Sequence, residues 1–219
     1  MFGRKKVAML VAEFLGTYAL ASAVLAMASR TTFPFFGGAA AGLTLAVMVL
    51  VIGATSGAHI NPAVTIGLWS IRKVPTLQAL TYIMVQMVAG FTAFRVNQYM
   101  MDQALPSLAK ANWDWRVFSA ELIGTLIFTF GIAAAVYGTY EGGKLAAAIG
   151  GSLFVGVLVA SVGSNGVLNP AVALGLHSWS AAYALGPLLG AVVGMNLYVQ
   201  LFAPQPAASR AKTATRLKK

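Results

Sequence analysis

Long apolar runs broken by short polar stretches organise this chain. Six runs, near 7–28, 36–55, 77–99, 117–138, 145–163 and 181–203, reach the length at which a helix crosses a bilayer, about 20 mostly apolar residues. Two further apolar pieces, near 61–71 and 169–177, are too short to cross. Each begins with Asn-Pro. Asn is favoured at a helix cap and Pro at the first helical position, so the pair predicts a helix start within the membrane region. The pattern therefore predicts an all-α membrane protein with six transmembrane helices and two re-entrant half-helices.

The same pattern repeats. Ala12-Glu13-Phe14-Leu15-Gly16-Thr17 returns as Ala120-Glu121-Leu122-Ile123-Gly124-Thr125, and Asn61-Pro62-Ala63-Val64 returns as Asn169-Pro170-Ala171-Val172, both after a shift of 108. Two motifs displaced by one offset imply duplicated three-span units. An odd number of spans per unit inserts the second copy upside down. That is an inverted-topology repeat, whose site is expected at the repeat interface near the membrane midplane. The expected units are residues 7–101 and 116–203 within a single channel domain spanning 1–219.

Composition supports a bilayer as the solvent. Hydrophobic residues make up 58% of the chain and charged residues 9%, with a mean hydropathy of +0.78, too few charges to cover a water-facing surface. Cysteine is absent, which excludes a disulfide framework and thiolate chemistry, and two histidines leave little for catalysis. No metal site, cofactor or enzymatic activity is expected. The net charge of +10 would suit nucleic acid, but its distribution along the chain speaks against that partner. Of the fifteen Lys and Arg residues, eleven fall in segments that a cytoplasmic N-terminus and six crossings place inside; Arg30, Arg95, Lys110 and Arg116 fall outside. By the positive-inside rule, both termini are expected to be cytoplasmic in a multi-pass cell-membrane protein. The start also resembles a signal peptide. Val7 to Ala28 is long enough to span, however, and Glu13 would spoil a signal core. Residues 204–219, with five basic side chains, read as a solvated cytoplasmic tail that can approach anionic membrane lipid. Trp113 and Trp115 fit an interfacial belt or ordinary loop packing.

The two Asn-Pro-Ala motifs carry the chemistry. In opposed orientations, helices starting at Asn61-Pro62-Ala63 and Asn169-Pro170-Ala171 meet mid-membrane. Interrupted backbone is tolerated there only when buried in protein or lining a wet cavity, which points to a pore. Each helix start carries about half a positive charge, so cations are disfavoured where the two converge. A water accepting from both asparagine amides turns its own hydrogens outward and interrupts a proton wire. Glu13 and Glu121 are acids inside spans, which is a functional signal by default. A proton-relay role would make the protein an ion-coupled transporter. Their equivalent positions instead favour bracing of the non-helical backbone that leads into each half-helix. His59 is expected either at a cytoplasmic vestibule or in a bond within its loop, and His177 at the close of the second half-helix. Glycines such as Gly16, Gly42, Gly90, Gly124 and Gly150 suit close helix crossings.

These residues resemble the major intrinsic protein family, the aquaporins and glycerol facilitators, over about 7–203. The likeness rests on Ala12 to Thr17, on Ser56 through Thr65, on Gln86, on Ala120-Glu121 with Gly124-Thr125, on Asn169-Pro170-Ala171, and on Gly186-Pro187 with Gly190-Ala191. The resemblance implies an aquaporin-like bundle, a pore in every protomer, a homotetramer, and water and small neutral solutes as permeants. It also implies an outer constriction formed by Ala41, Val157, Gly166 and Val172. The family's usual arginine is replaced by Val172 and the aspartate that follows it in glycerol facilitators by Ala173. The expected constriction is wide and apolar, and two outcomes stay open: passage of somewhat larger neutral molecules, or dewetting that slows water.

Overall fold

The computed structural model describes residues 3–109 and 111–204. Among the described residues eight helices make up the fold: α1 (Arg4–Ala28), α2 (Pro34–Ser56), α3 (Pro62–Ser70), α4 (Thr76–Met100), α5 (Trp115–Tyr137), α6 (Gly142–Ala160), α7 (Pro170–Gly175) and α8 (Ala181–Leu201). Among the described residues there is no strand. α1, α2, α4, α5, α6 and α8 are each long and apolar enough to cross a membrane, and α3 and α7 are not. The expected tail lies outside the described residues apart from Pro204, and so does Lys110 of the outer charge set.

Local chemistry sets the helix ends. Gly57 takes a left-handed conformation (φ 92°) and stops α2, its N–H donating to the Gly53 carbonyl. Asp114 starts α5 by accepting from Arg116 N and Val117 N, and the Ser180 hydroxyl starts α8 by accepting from Tyr183 N. Boundaries shift by up to three residues from the sequence expectation, and two of the shifts have a visible cause. α6 ends at Ala160, where the Ser161 hydroxyl donates to the Val157 carbonyl and Ser164 turns toward α5. α7 ends at Gly175, shorter than 169–177, because the chain turns through His177 at φ 54°.

The helices pack as two interleaved halves. α3 lies against α8, the last helix of the opposite half, and α7 lies against α4 in the same relation. Small residues permit these approaches. A Cβ on Gly67 would sit 2.9 Å from Met195 Sδ, and one on Gly124 would sit 2.6 Å from the Gly156 carbonyl. Outward positions such as Leu43, Val51 and Leu77 stay exposed, at 69%, 67% and 73%, as required of a surface solvated by lipid tails. The polar exceptions lie inside, where Glu13, Gln86, Glu121, Asn61 and Asn169 are buried.

Candidate functional site

Each half-helix is approached by an extended, non-helical segment whose amides need partners, since neither water nor a neighbouring helix turn supplies them. In the first half, Ala58 N donates to Ser56 Oγ at 3.1 Å, His59 N to Glu13 Oε1 at 3.0 Å and Ile60 N to Glu13 Oε2 at 2.7 Å. The second half repeats this bond for bond. Gly166 N donates to Ser164 Oγ at 3.0 Å, Val167 N to Glu121 Oε1 at 2.9 Å and Leu168 N to Glu121 Oε2 at 2.7 Å. Each serine hydroxyl in turn donates to its glutamate at 2.7 Å. Ile60 and Leu168 hold positive φ angles of 40° and 54°, a costly conformation for side-chain-bearing residues that the two carboxylates help to hold.

Those turns bring the motifs together. Asn61 caps α3 by accepting from Ala63 N, and Asn169 caps α7 by accepting from Ala171 N and Val172 N. Each side-chain amide then donates one N–H across the repeat interface: Asn61 Nδ2 to the Leu168 carbonyl and Asn169 Nδ2 to the Ile60 carbonyl, both at 2.9 Å. An amide nitrogen has two hydrogens, so each asparagine keeps a second donor for the space between them. Pro62, Ala63, Pro170 and Ala171 are buried behind that pair as the first turns of the half-helices.

Three cavities follow one another along this axis. The inner vestibule, so called for the side expected to be cytoplasmic, holds about 360 Å³ and includes Gly53, Ala58, His59, Val64, Val136 and Ile149 in its wall. A neck of about 10 Å³ contains both asparagines, and an outer vestibule of about 270 Å³ includes Thr32, Val157, Asn165 and Gly166. The inner vestibule and the neck share Leu45, His59 and Phe128; the neck and the outer vestibule share Val24, Ala41 and Val167. The four residues expected to form one outer ring are therefore distributed. Val157 and Gly166 line the outer vestibule, Val172 lines the neck, and Ala41 lines both.

The first half carries a polar network that the second lacks. Gln86 Nε2 donates to Glu13 Oε2 at 2.8 Å and to Thr65 Oγ1 at 3.0 Å, and His59 Nδ1 lies 3.2 Å from the same hydroxyl. Thr65 has one proton, which the Asn61 carbonyl accepts at 3.0 Å. The imidazole Nδ1 then donates, and Nε2 is left as an acceptor on a ring that lines both vestibule and neck. The His59 ring therefore lines a vestibule while bonding to Thr65 of α3 and not within its own loop. His177 has two roles: its backbone closes α7, turning at φ 54° with its N–H donating to the Leu174 carbonyl at 3.2 Å, while its ring ties down a distant loop, Nδ1 donating to the Leu105 carbonyl at 2.7 Å and Leu108 N donating back to the His177 carbonyl at 2.9 Å. Trp113, Trp115 and Phe118 form an aromatic cluster beside that loop, with centroids 5.0–5.8 Å apart.

Leu20, Leu45, Phe128 and Leu153 are four of the nine apolar residues lining the neck and carry no motif of their own. The shift of 108 is the signal that marks them, since it relates Leu20 to Phe128 and Leu45 to Leu153.

A family model described as major intrinsic protein matches residues 4–198. Aquaporin NIP3-1 of Zea mays is 32% identical over 210 residues, covering 85% of this chain and 68% of the plant protein. Aquaporin AqpM of Methanothermobacter marburgensis is 28% identical over 239 residues, covering 87% of this chain and 96% of its own. Among solved structures, the aquaglyceroporin from Plasmodium falciparum has the same fold, with a TM-score of 0.70 at 23% identity over 90% of this chain and 97% of that one. With the inverted repeat and paired half-helices in place, the match over nearly the whole described length makes this chain a member of the major intrinsic protein family, a multi-pass membrane channel for water and small solutes.

Proposed function

We propose that this channel conducts water and neutral solutes up to about the size of glycerol or urea by facilitated diffusion, one pore per protomer of a homotetramer. It sits in a cell membrane with both termini cytoplasmic, as its charge asymmetry supports. The observation that carries this reading is the alignment of the three cavities through the asparagine pair. At that pair the free amide hydrogens and two half-helix starts present only donors and positive potential, so a neutral acceptor is favoured and a cation is not. Ala41, Val157, Gly166 and Val172 offer no charged group toward the outer half of the path.

Glu13 and Glu121 serve as braces in this reading. A proton carrier has to exchange with the lumen, whereas both carboxylates are 0% exposed, line none of the three cavities and spend both oxygens on bonds. The test is stopped-flow light scattering on proteoliposomes with water, glycerol and urea, with and without an ion gradient. Flux above that of empty vesicles and independent of the gradient is expected, and Val172→Arg, which adds a long cation to the neck, should reduce solute flux. Uptake that requires a gradient would overturn the passive reading.

A further inference from the structure

Given a passive pore along this axis, the point of selection remains to be located, and the cavities bear on it directly. The outer vestibule, where Val157 and Gly166 stand, holds about 270 Å³, room for several waters. The neck holds about 10 Å³, close to the minimum that admits one water. Of the three cavities, the one at the asparagines is the smallest.

The repeat explains why it is tight. Leu20 of α1 and Phe128 of α5 are equivalent under the shift of 108, and so are Leu45 of α2 and Leu153 of α6. All four line the neck, at 3%, 1%, 3% and 3% exposure. Two copies of one wall have thus closed on each other around the pseudo-two-fold axis. Three of the four positions are leucine, and Phe128 alone is aromatic. It also borders the inner vestibule, which the leucines at 20 and 153 do not. The outer vestibule has no counterpart to this closure, because Gly166 contributes no side chain and Ala41 only a methyl.

We propose that Phe128, with Leu20, Leu45 and Leu153, forms the size-selecting collar of this channel, and that selection occurs at the asparagine pair and not at the outer ring. A permeant entering the neck accepts from the free amide hydrogens of Asn61 and Asn169 on one side, while its other sides meet hydrocarbon and the His59 ring. Water meets that condition in single file. Glycerol and urea must also place donors against the collar, where among the lining side chains His59 is the one acceptor outside the asparagine pair, so their crossing depends on the room Phe128 leaves.

The test uses the full-length protein in vesicles and reads the ratio of glycerol to water permeability. Phe128→Leu makes the collar all leucine and is expected to raise the ratio by about tenfold. Leu20→Phe, at the equivalent position, is expected to lower it by a comparable factor, and its retained water flux certifies a folded pore. Val157→Ala, in the outer vestibule, is expected to move the ratio less than Phe128→Leu. A ratio that follows Val157→Ala and ignores Leu20→Phe would place selection at the outer ring and overturn the inference while leaving the channel intact. If Phe128→Leu does not fold, Leu20→Phe decides alone. Wild-type vesicles as tight as empty ones would instead refute the conduction on which the inference rests.

Discussion

The two halves of this molecule share one backbone plan and differ in what they place behind it. Both use a buried glutamate, a serine and three loop amides to hold a left-handed turn in front of an Asn-Pro-Ala half-helix. Behind Glu13, however, stand Gln86, Thr65 and His59, joined by hydrogen bonds. The counterparts of Thr65 and His59 under the shift of 108 are Ala173 and Val167, which offer no polar side chain, and beside Glu121 α8 places Gly186, whose Cβ position would lie 3.0 Å from Glu121 Cβ. The first half fills the space behind its brace with a polar network. The second carries no such network, and α8 closes on α5 along a glycine face, with a Gly194 Cβ position only 2.6 Å from Thr129 Oγ1. Inverted repeats can keep the chemistry that holds backbone while letting the supporting layer diverge, because only the backbone's amides are obligatory.

The largest expected effect tests the shared part. Glu13→Ala and Glu121→Ala each leave two buried backbone donors without a partner, at about 1–3 kcal/mol apiece. We expect a loss of about 4 kcal/mol at Glu121 and more at Glu13, where the Gln86 amide also loses one of its two acceptors. Unfolding in detergent, followed by loss of monodisperse protein, measures both. Equal losses would mean that the network behind Glu13 contributes nothing.

A smaller effect tests the difference. Gly194→Ala inserts a methyl where α5 and α8 touch, against the Leu126 carbonyl and the Thr129 hydroxyl. Overpacking of this kind costs about 1–3 kcal/mol, opposite in sign to the gain of about 1 kcal/mol from the same change in an open helix. A stabilised Gly194→Ala variant would show that the close contact is not what holds the second half together.

Much of this was legible in the sequence. Six spans follow from apolar length, and the half-helices follow from Asn-Pro before runs too short to cross. The paired acids follow from their equivalent places in the repeat. The end of α6 was not legible, because Val159 to Gly163 continues an apolar pattern and only the bonds of Ser161 and Ser164 reveal where the helix stops. The role of the His177 ring was hidden for a related reason: its partner, Leu105, lies 72 positions away in a loop without periodicity. The neck escaped motif reading because leucine and phenylalanine are ordinary residues of any membrane helix. Their significance comes from the fold, which sets four of them around one point.

Thr65→Val gives the smallest effect and the sharpest comparison. It keeps the shape of the side chain but removes the oxygen that accepts from Gln86 at 3.0 Å and lies 3.2 Å from His59 Nδ1, making the first half resemble the second at Ala173. The net loss should be about 1–2 kcal/mol, since Gln86 keeps Glu13 as an acceptor and the imidazole borders a cavity where water can replace the lost bond. Stability alone cannot separate a network from a set of independent contacts, so the informative experiment is a cycle with His59→Ala and the double variant. Coupling of about 0.5–1.5 kcal/mol is expected if the imidazole is held through Thr65. Additive losses would mean that His59 is positioned by its loop and by Tyr82, whose ring centroid lies 5.2 Å away, and that the polar layer of the first half is a packing solution equivalent to the glycine of the second.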